Sequence, residues 1–250
     1  MSQRQRKLFA CFTVLCMAVA FAPTAGAMHI MEGYLSPPLC IAWGAVCLPF
    51  LALGLRNIRR KTDGQSQNLL LLALCGAFVF VISSLKIPSV TGSCSHMTGT
   101  GLSAILFGPA VTSVLGLIVL IFQAILLAHG GLTTLGANCF SMAIAGPLAA
   151  YGLYRGLRAV KVDRKACVFL AAFLGDLFTY CVTSVQLAAA YPAAEGGAAA
   201  SLVKFLGVFA PTQLPLAVVE GILTVVIVIG LETYASRELK DIGYLGGNEV

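Results

Sequence analysis

Long apolar runs alternate along this chain with short polar connections, several of them basic. From Pro37 to Leu55 the sequence is almost continuously apolar, and it closes on Arg56-Asn-Ile-Arg59-Arg60-Lys61. A second run covers about Asn68 to Ile87, and a Gly/Ser/Thr loop with His96 follows it. The stretch from Gly99 to Ala128 is apolar throughout but is interrupted at Gly108-Pro109. His129-Gly-Gly-Leu-Thr-Thr-Leu-Gly136 reads as a loop. Further runs cover Ala137 to Leu157, Ala166 to Ala190 and Leu202 to Tyr234, the last carrying Pro211 and Pro215. Runs of this length and apolarity predict membrane-crossing helices rather than core helices of a soluble domain. Seven are expected: 37–55, 67–87, 99–108, 110–128, 136–157, 166–190 and 212–235. Residues 200–210 are expected to form a short outer helix or loop.

Composition agrees with that pattern. The chain is 58% hydrophobic and 10% charged, with a mean hydropathy of +0.91. The fold class is therefore an all-α polytopic membrane protein. Residues 1–27 read as a cleaved signal peptide, and residues 28–250 as a single transmembrane domain with a C-terminal tail. The start is basic (Arg4, Arg6, Lys7), the middle apolar, and Ala25-Gly-Ala27 fits the small-residue cleavage rule. Beyond residue 27 the chain has 13 Lys+Arg against 10 Asp+Glu, a balance that excludes a nucleic-acid footprint. Eleven of those basic residues fall in clusters at 56–61, 155–165 and 237–240. Basic clusters stay on the cytoplasmic side. This puts the mature N-terminus, the His96 loop and the His129 loop outside and the C-terminus inside. Parity then requires the 99–128 stretch to begin and end outside, as two short or tilted helices or as a re-entrant hairpin.

All three histidines of the chain thus fall on the outer side. Cleavage after Ala27 would free the amine of Met28 and place His29 second. An amine, the His29 amide nitrogen and its imidazole can close fused chelate rings on one late divalent ion, for which tetragonal nitrogen sites are suited. His96 is the best fourth nitrogen. His129 could line the entrance, orient the site or cap a helix. Ser93, Ser95, Thr98 and Asn138 are polar groups able to orient the ligands. Two other readings stand beside this one. Met28 could be an alternative start with His29 on the surface, and Met28 with Met31 could suit copper(I).

Other chemistry is thin. HExxH, GxSxG and phosphate-loop motifs are absent, and Glu32 is the only acid near the histidines. A membrane metalloenzyme therefore lacks a supply of bases, and a passive channel lacks polar groups through the membrane. Asp176, Glu220 and Glu232 lie in or near apolar runs and read as interhelical contacts or as coupling to a partner. Most cysteines fall in apolar runs, and Cys94 with Cys139 is the one pair placed to bridge across the outer face. Gly152 and Gly156 form a small-residue face for internal packing or for another subunit.

Three segments carry a family resemblance: Met28-His-Ile-Met-Glu-Gly-Tyr-Leu-Ser-Pro-Pro38, Ser93-Cys-Ser-His-Met-Thr-Gly-Thr-Gly-Leu102, and Gln123-Ala-Ile-Leu-Leu-Ala-His-Gly-Gly-Leu-Thr-Thr-Leu-Gly-Ala-Asn138. They resemble the CbiM family, the substrate-capture (S) components of cobalt energy-coupling-factor (ECF) transporters, whose sister family NikM serves nickel. The resemblance implies a seven-helix S component in a bacterial inner membrane that binds Co²⁺ from the periplasm for cobalamin synthesis, with Ni²⁺ as the alternative cargo. It implies Met28, His29 and His96 as the metal ligands; His129, Asn138 and Ser95 remain the supporting residues expected from their positions. It also implies three partners: a small CbiN-like membrane subunit, a CbiQ-like coupling protein and a CbiO-like ATPase. Met97 departs from the family pattern, which has proline after the loop histidine.

Overall fold

The computed structural model describes residues 26–27, 29–62, 66–88 and 93–245. Met28 and residues 1–25 of the expected signal segment lie outside the described residues. The chain begins with strand β1 (Gly26–Ala27) and continues through α1 (Pro37–Thr62), α2 (Ser66–Ser84), β2 (Lys86–Pro88) and β3 (Ser93–His96). Then come α3 (Thr100–Phe107), α4 (Pro109–Leu127) and α5 (Leu135–Asn138). A π-helical segment (Cys139–Ala145) joins α5 to α6 (Gly146–Ala159), and α7 (Arg164–Ala190), α8 (Gly197–Tyr234) and α9 (Ser236–Asp241) complete the fold.

The helix ends follow local chemistry. α1 opens on Pro37-Pro38, whose φ is already helical, and ends on Arg59, Arg60 and Lys61, which suit the negative end of the helix dipole. The Asp163 carboxylate caps α7 by accepting from the Lys165 and Ala166 amides at 3.0 and 3.3 Å. Gly108 takes φ 89° and turns α3 into α4, a conformation only glycine adopts freely, and Pro109 then starts α4.

Among the described residues, five helices are long and apolar enough to cross a membrane: α1, α2, α4, α7 and α8. Their outward residues, such as Ile41, Leu48, Leu70, Phe122 and Val226, are large and apolar, as lipid contact requires. The other two expected crossings have a different character. The 99–108 segment is α3, eight residues long and buried along its whole length. It spans about 12 Å, less than half of a bilayer's apolar layer. The 136–157 segment is divided into α5, the π-helical turn and α6. Residues 200–210, expected to stand apart, belong to α8, which continues through Pro211 and Pro215. Proline deletes one amide donor each time. The Tyr180 hydroxyl donates to the Leu206 carbonyl in the turn before Pro211 and ties α7 to α8 there.

Packing holds the histidine-bearing segments from two sides. Ile30 and Leu35 sink into a cluster with Ala137, Tyr180, Leu187 and Phe209. Cys47, Val79, Leu120, Met142 and Ile144 form a second core between α1, α2, α4 and the π-helical turn. Cys139 is a buried free thiol in that core, hydrogen-bonded with Cys47, and the side chain of its expected partner Cys94 lies outside the described residues. Gly152 and Gly156 face open space, so they do not make an internal contact. Glycines do bring other helices together. A Cβ on Gly54 of α1 would sit 2.2 Å from the Ala110 carbonyl oxygen of α4, and one on Gly116 of α4 would sit 2.5 Å from Ala143.

This closeness is testable. Gly54→Ala should separate α1 from α4 and lower stability by about 1–3 kcal/mol, the usual range for overpacking. A thermal melt of the purified protein in detergent reads it directly.

Candidate metal centre

The site is assembled from three loops that are distant in sequence. Residues 29–33 cross the 130–138 loop and are tied to it by their backbone. Asn138 Oδ1 accepts from the Ile30 amide at 2.8 Å, and Asn138 Nδ2 donates to the Ile30 carbonyl at 3.0 Å. The Thr134 hydroxyl donates to the same carbonyl at 2.6 Å. The Gly33 amide donates to Thr133 Oγ1, and the Glu32 carboxylate accepts from the Thr133 amide at 3.2 Å. These bonds to Thr133, the side chain's first, hold the Glu32 carboxyl below the usual carboxylate range. The glycines of His129-Gly-Gly131 make room for this crossing. Gly130 has φ 79°, and a Cβ on Gly131 would lie 2.5 Å from Glu32 Cα.

The result is a cluster of all three histidines. The His29 and His96 rings stack with centroids 4.5 Å apart. His129 stands edge-on to both, at 4.5 Å from His29 and 5.0 Å from His96. One nitrogen from each ring lies within 4.8 Å of the others. His96 Nδ1 is 2.9 Å from the Met97 carbonyl oxygen. That oxygen can only accept, so Nδ1 carries the proton and Nε2 keeps its lone pair. Nε2 faces His29 Nδ1 at 2.6 Å. Nδ1 is the ring nitrogen that closes a six-membered chelate with its own amide nitrogen, so the two nitrogens best suited to share an ion are the two that meet. His29 Nε2 and both ring nitrogens of His129 have no hydrogen-bond partner among the described residues.

Burial keeps these rings neutral. Loss of solvation, reinforced by the charges on His96, His129 and Lys86, holds the His29 pKa well below the usual histidine range. Burial lowers His96 to about 4, against the opposing pull of the Met97 carbonyl. Burial lowers His129 to about 2, with His96 and Lys86 adding to the effect. At neutral pH the pocket therefore offers lone pairs and no positive charge, which is the state that binds a cation.

The residues expected in support divide into three roles. Asn138 holds the Ile30 backbone next to His29. His129 joins the cluster as a full third imidazole, more than the entrance or capping role left open by its sequence position. Ser95 does not touch a histidine; its hydroxyl pairs with Thr212 Oγ1 at 2.7 Å and straps β3 to α8. Thr98 likewise turns to α8, giving its amide to Glu220 at 2.6 Å and its hydroxyl at 3.0 Å. Gln213 was missed from sequence. Its Nε2 donates to Asp176 Oδ2 at 2.6 Å and to the His96 carbonyl at 3.1 Å. Asp176 and Glu220 are thus interhelical polar contacts, as expected, but they also anchor the His96 loop. The available signal was a lone amide between two prolines in an apolar run. The Met28 amine falls outside the described residues.

Buried neutral imidazoles that converge at one end of a bundle of membrane-length helices define a class: a multi-pass membrane protein able to hold a transition-metal ion. Comparison with known proteins agrees. The chain belongs to the CbiM family, described as the cobalt uptake substrate-specific transmembrane region, which matches residues 29–238. It is 61% identical over 247 residues to the cobalt transport protein CbiM of Lachnoclostridium phytofermentans, covering 99% of each chain. It is 59% identical over 239 residues to the CbiM of Chlorobium limicola, covering 96% of this chain and 94% of that one. Among solved structures, a transition metal transporter superposes with a TM-score of 0.74 at 27% identity, covering 88% of this chain and all of the other. A truncated form of such a transporter gives 0.73 at 28% identity over 82% of this chain and 99% of that one. The protein is a membrane component of metal uptake, and its relatives are named as transport proteins.

Two outcomes follow from the geometry. Asn138→Ala removes both bonds to Ile30 and should weaken metal binding by about 10–100-fold, the range for groups that orient ligands; calorimetric titration measures it. Acid should also loosen the metal-free protein. His96 is neutral when folded and protonates near 6.5 when unfolded, so the unfolded chain binds more protons between about pH 4 and 6.5. Stability should fall as pH drops through that window, by on the order of 3 kcal/mol from His96 alone. Melting temperature should stay level from pH 8 to 7 and decline below 6.5.

Proposed function

We propose that this chain is the Co²⁺-capturing S component of an ATP-driven importer of the energy-coupling-factor type, feeding cobalamin synthesis. The observation that carries the proposal is the meeting of His29 Nδ1 and His96 Nε2, 2.6 Å apart, in a pocket of neutral imidazoles. The family membership and the named cobalt relatives support the cargo. In this reading residues 1–27 are removed and seven helical segments of residues 28–250 lie in the inner membrane. The Met28 amine faces the periplasm and the C-terminus faces the cytoplasm.

The ion is the substrate. It is taken by the Met28 amine, the His29 amide nitrogen and imidazole, and His96 Nε2, with His129 beside them. The amine and the amide must each be deprotonated to bind, so capture releases protons and weakens in acid. Burial of the pocket excludes water and strengthens each nitrogen–metal contact. The chain carries no nucleotide-binding motif, so ATP hydrolysis falls to a CbiO-like partner, linked through a CbiQ-like coupling protein and assisted by a small CbiN-like subunit. Release follows when that module tilts the bundle and opens the pocket to the cytoplasm. The Gln213–Asp176 and Thr98–Glu220 bonds tie the His96 loop to the long helices α7 and α8, which gives such a movement a route to the ligand.

Metal content and intact mass of the purified protein test this after equal exposure to Co²⁺ and Ni²⁺. One cobalt per chain beginning at Met28 is expected. His29→Ala should abolish it, and His96→Ala should weaken binding by at least about 100-fold. Nickel winning the competition would keep the site and change the cargo. A chain with a free Met28 and no stoichiometric metal would sink the proposal. Uptake into cells should in addition require the co-expressed ATPase, and uptake without it would point to a channel.

A further inference from the structure

At the end of the bundle opposite the histidines, the chain encloses a second polar site. A cavity of about 500 Å³ lies between the ends of α1, α3, α6 and α7 and the C-terminal turn at 242–245. That volume falls in the range of small-ligand pockets, roughly 300–1,000 Å³. Four cationic side chains line it, Lys61, Arg155, Arg158 and Arg164, and no acidic side chain does among the described residues. Glu232 reaches Arg164 at 3.2 Å, which offsets one of the four charges. The Lys61 ammonium is held in place by the Phe107 carbonyl at 3.0 Å, and Arg158 donates to the Val162 carbonyl at 3.2 Å. Lys61, Arg158 and Arg164 are therefore held in position by partners, while Arg155 stands exposed in the lining. α4 also begins here, at Gly108, and no side chain caps its first turn. An uncapped helix start adds amide donors and the positive end of a dipole.

Basic residues at this end are expected for orientation alone. That accounts for Arg56, Arg59, Arg60, Lys161 and Lys165, which are exposed and do not line the cavity. It does not account for four cations from three separate helices, α1, α6 and α7, converging on one cavity. We infer that this cavity binds a phosphate-bearing anion. Arginine forks match phosphate oxygens in geometry, and a converging set of cations stays expensive to hold together without an anion. Tyr151 and Tyr154 in the lining add phenol groups, while Leu106, Phe107 and Leu245 supply an apolar wall beside them. A polar pocket with an apolar wall at the edge of membrane-length helices fits a phospholipid headgroup, as basic pockets between such helices do. A free phosphate compound shares the same recognition chemistry.

Native mass spectrometry of the full chain in detergent tests this. The protein would be equilibrated with phosphatidylglycerol or with phosphatidylcholine, with and without inorganic phosphate. One phosphatidylglycerol per chain should persist in preference to phosphatidylcholine. Binding should fall by about tenfold or more in R155Q/R158Q. It should stay unchanged in R59Q/R60Q, which removes exposed charges outside the cavity. R155E alone changes only an exposed side chain, so its loss of the adduct reads the site without disturbing the core. Displacement of the lipid by inorganic phosphate would assign the site to a free phosphate compound, and persistence would assign it to the headgroup. Equal adducts in R155E and in the native chain, or an equal loss in R59Q/R60Q, would overturn the inference. Metal binding at the histidines should be the same in all variants, because α4 alone separates the two ends by about 28 Å.

Discussion

The bond pair between the Asn138 side chain and the Ile30 backbone governs the rest of the site. Ile30 presents one donor and one acceptor, and the Asn138 amide answers both. Only one orientation of that amide can do so, since the Ile30 amide cannot accept and its carbonyl cannot donate. The pair joins residues 108 positions apart. Without it His29 would sit on a tethered end whose conformational freedom opposes any fixed geometry. Burial of Ile30 alongside Ala137 and Phe209 adds about 1.5–3 kcal/mol to the same closure. The glycines at 130 and 131 contribute by absence, since any side chain there would occupy the path of residues 29–32.

Polar contacts from below complete the support. β3 and the loop after it bring His96 to the pocket, and three side chains from α8, Thr212, Gln213 and Glu220, grip that loop through Ser95, the His96 carbonyl and Thr98. A carboxyl group in the middle of a membrane helix is costly unless it is hydrogen-bonded. Glu220 is bonded through both oxygens, and Asp176 through one. These acids hold the shape of the His96 loop and connect it with the longest helices. The histidine cluster is thus fixed at one end of the bundle while being mechanically continuous with its body.

The fold also explains why the imidazoles stay ready for metal. Each is buried, which disfavours the charged form of all three at once. Mutual repulsion adds to this, since a second imidazolium within 5 Å would meet the first in a poor dielectric. The opposite end of the molecule makes the reverse choice and gathers permanent cations. One bundle thereby presents a neutral nitrogen pocket at one end and a cationic one at the other.

The sequence by itself determined the membrane class, because runs of apolar residues long enough to cross a bilayer admit few other uses. It determined most helix positions and the break at Gly108-Pro109, and it pointed to His29 and His96 as partners, whose rings do stack in the structure. It placed Asn138 and His129 in the right neighbourhood through the His-Gly-Gly loop. Tertiary structure decided the rest. It made His129 an equal member of the cluster, sent Ser95 and Thr98 to α8, and carried α8 unbroken through Pro211 and Pro215. It also linked Gln213, Asp176 and Glu220 to the His96 loop. The contacts of Ser95, Thr98 and Gln213 with their partners across the loop depend on which segments meet over more than a hundred residues of chain. Hydropathy tells a residue how deep to lie in the membrane, but leaves open which neighbour it will touch there, and that is set by packing and by the need of every buried polar group for a partner.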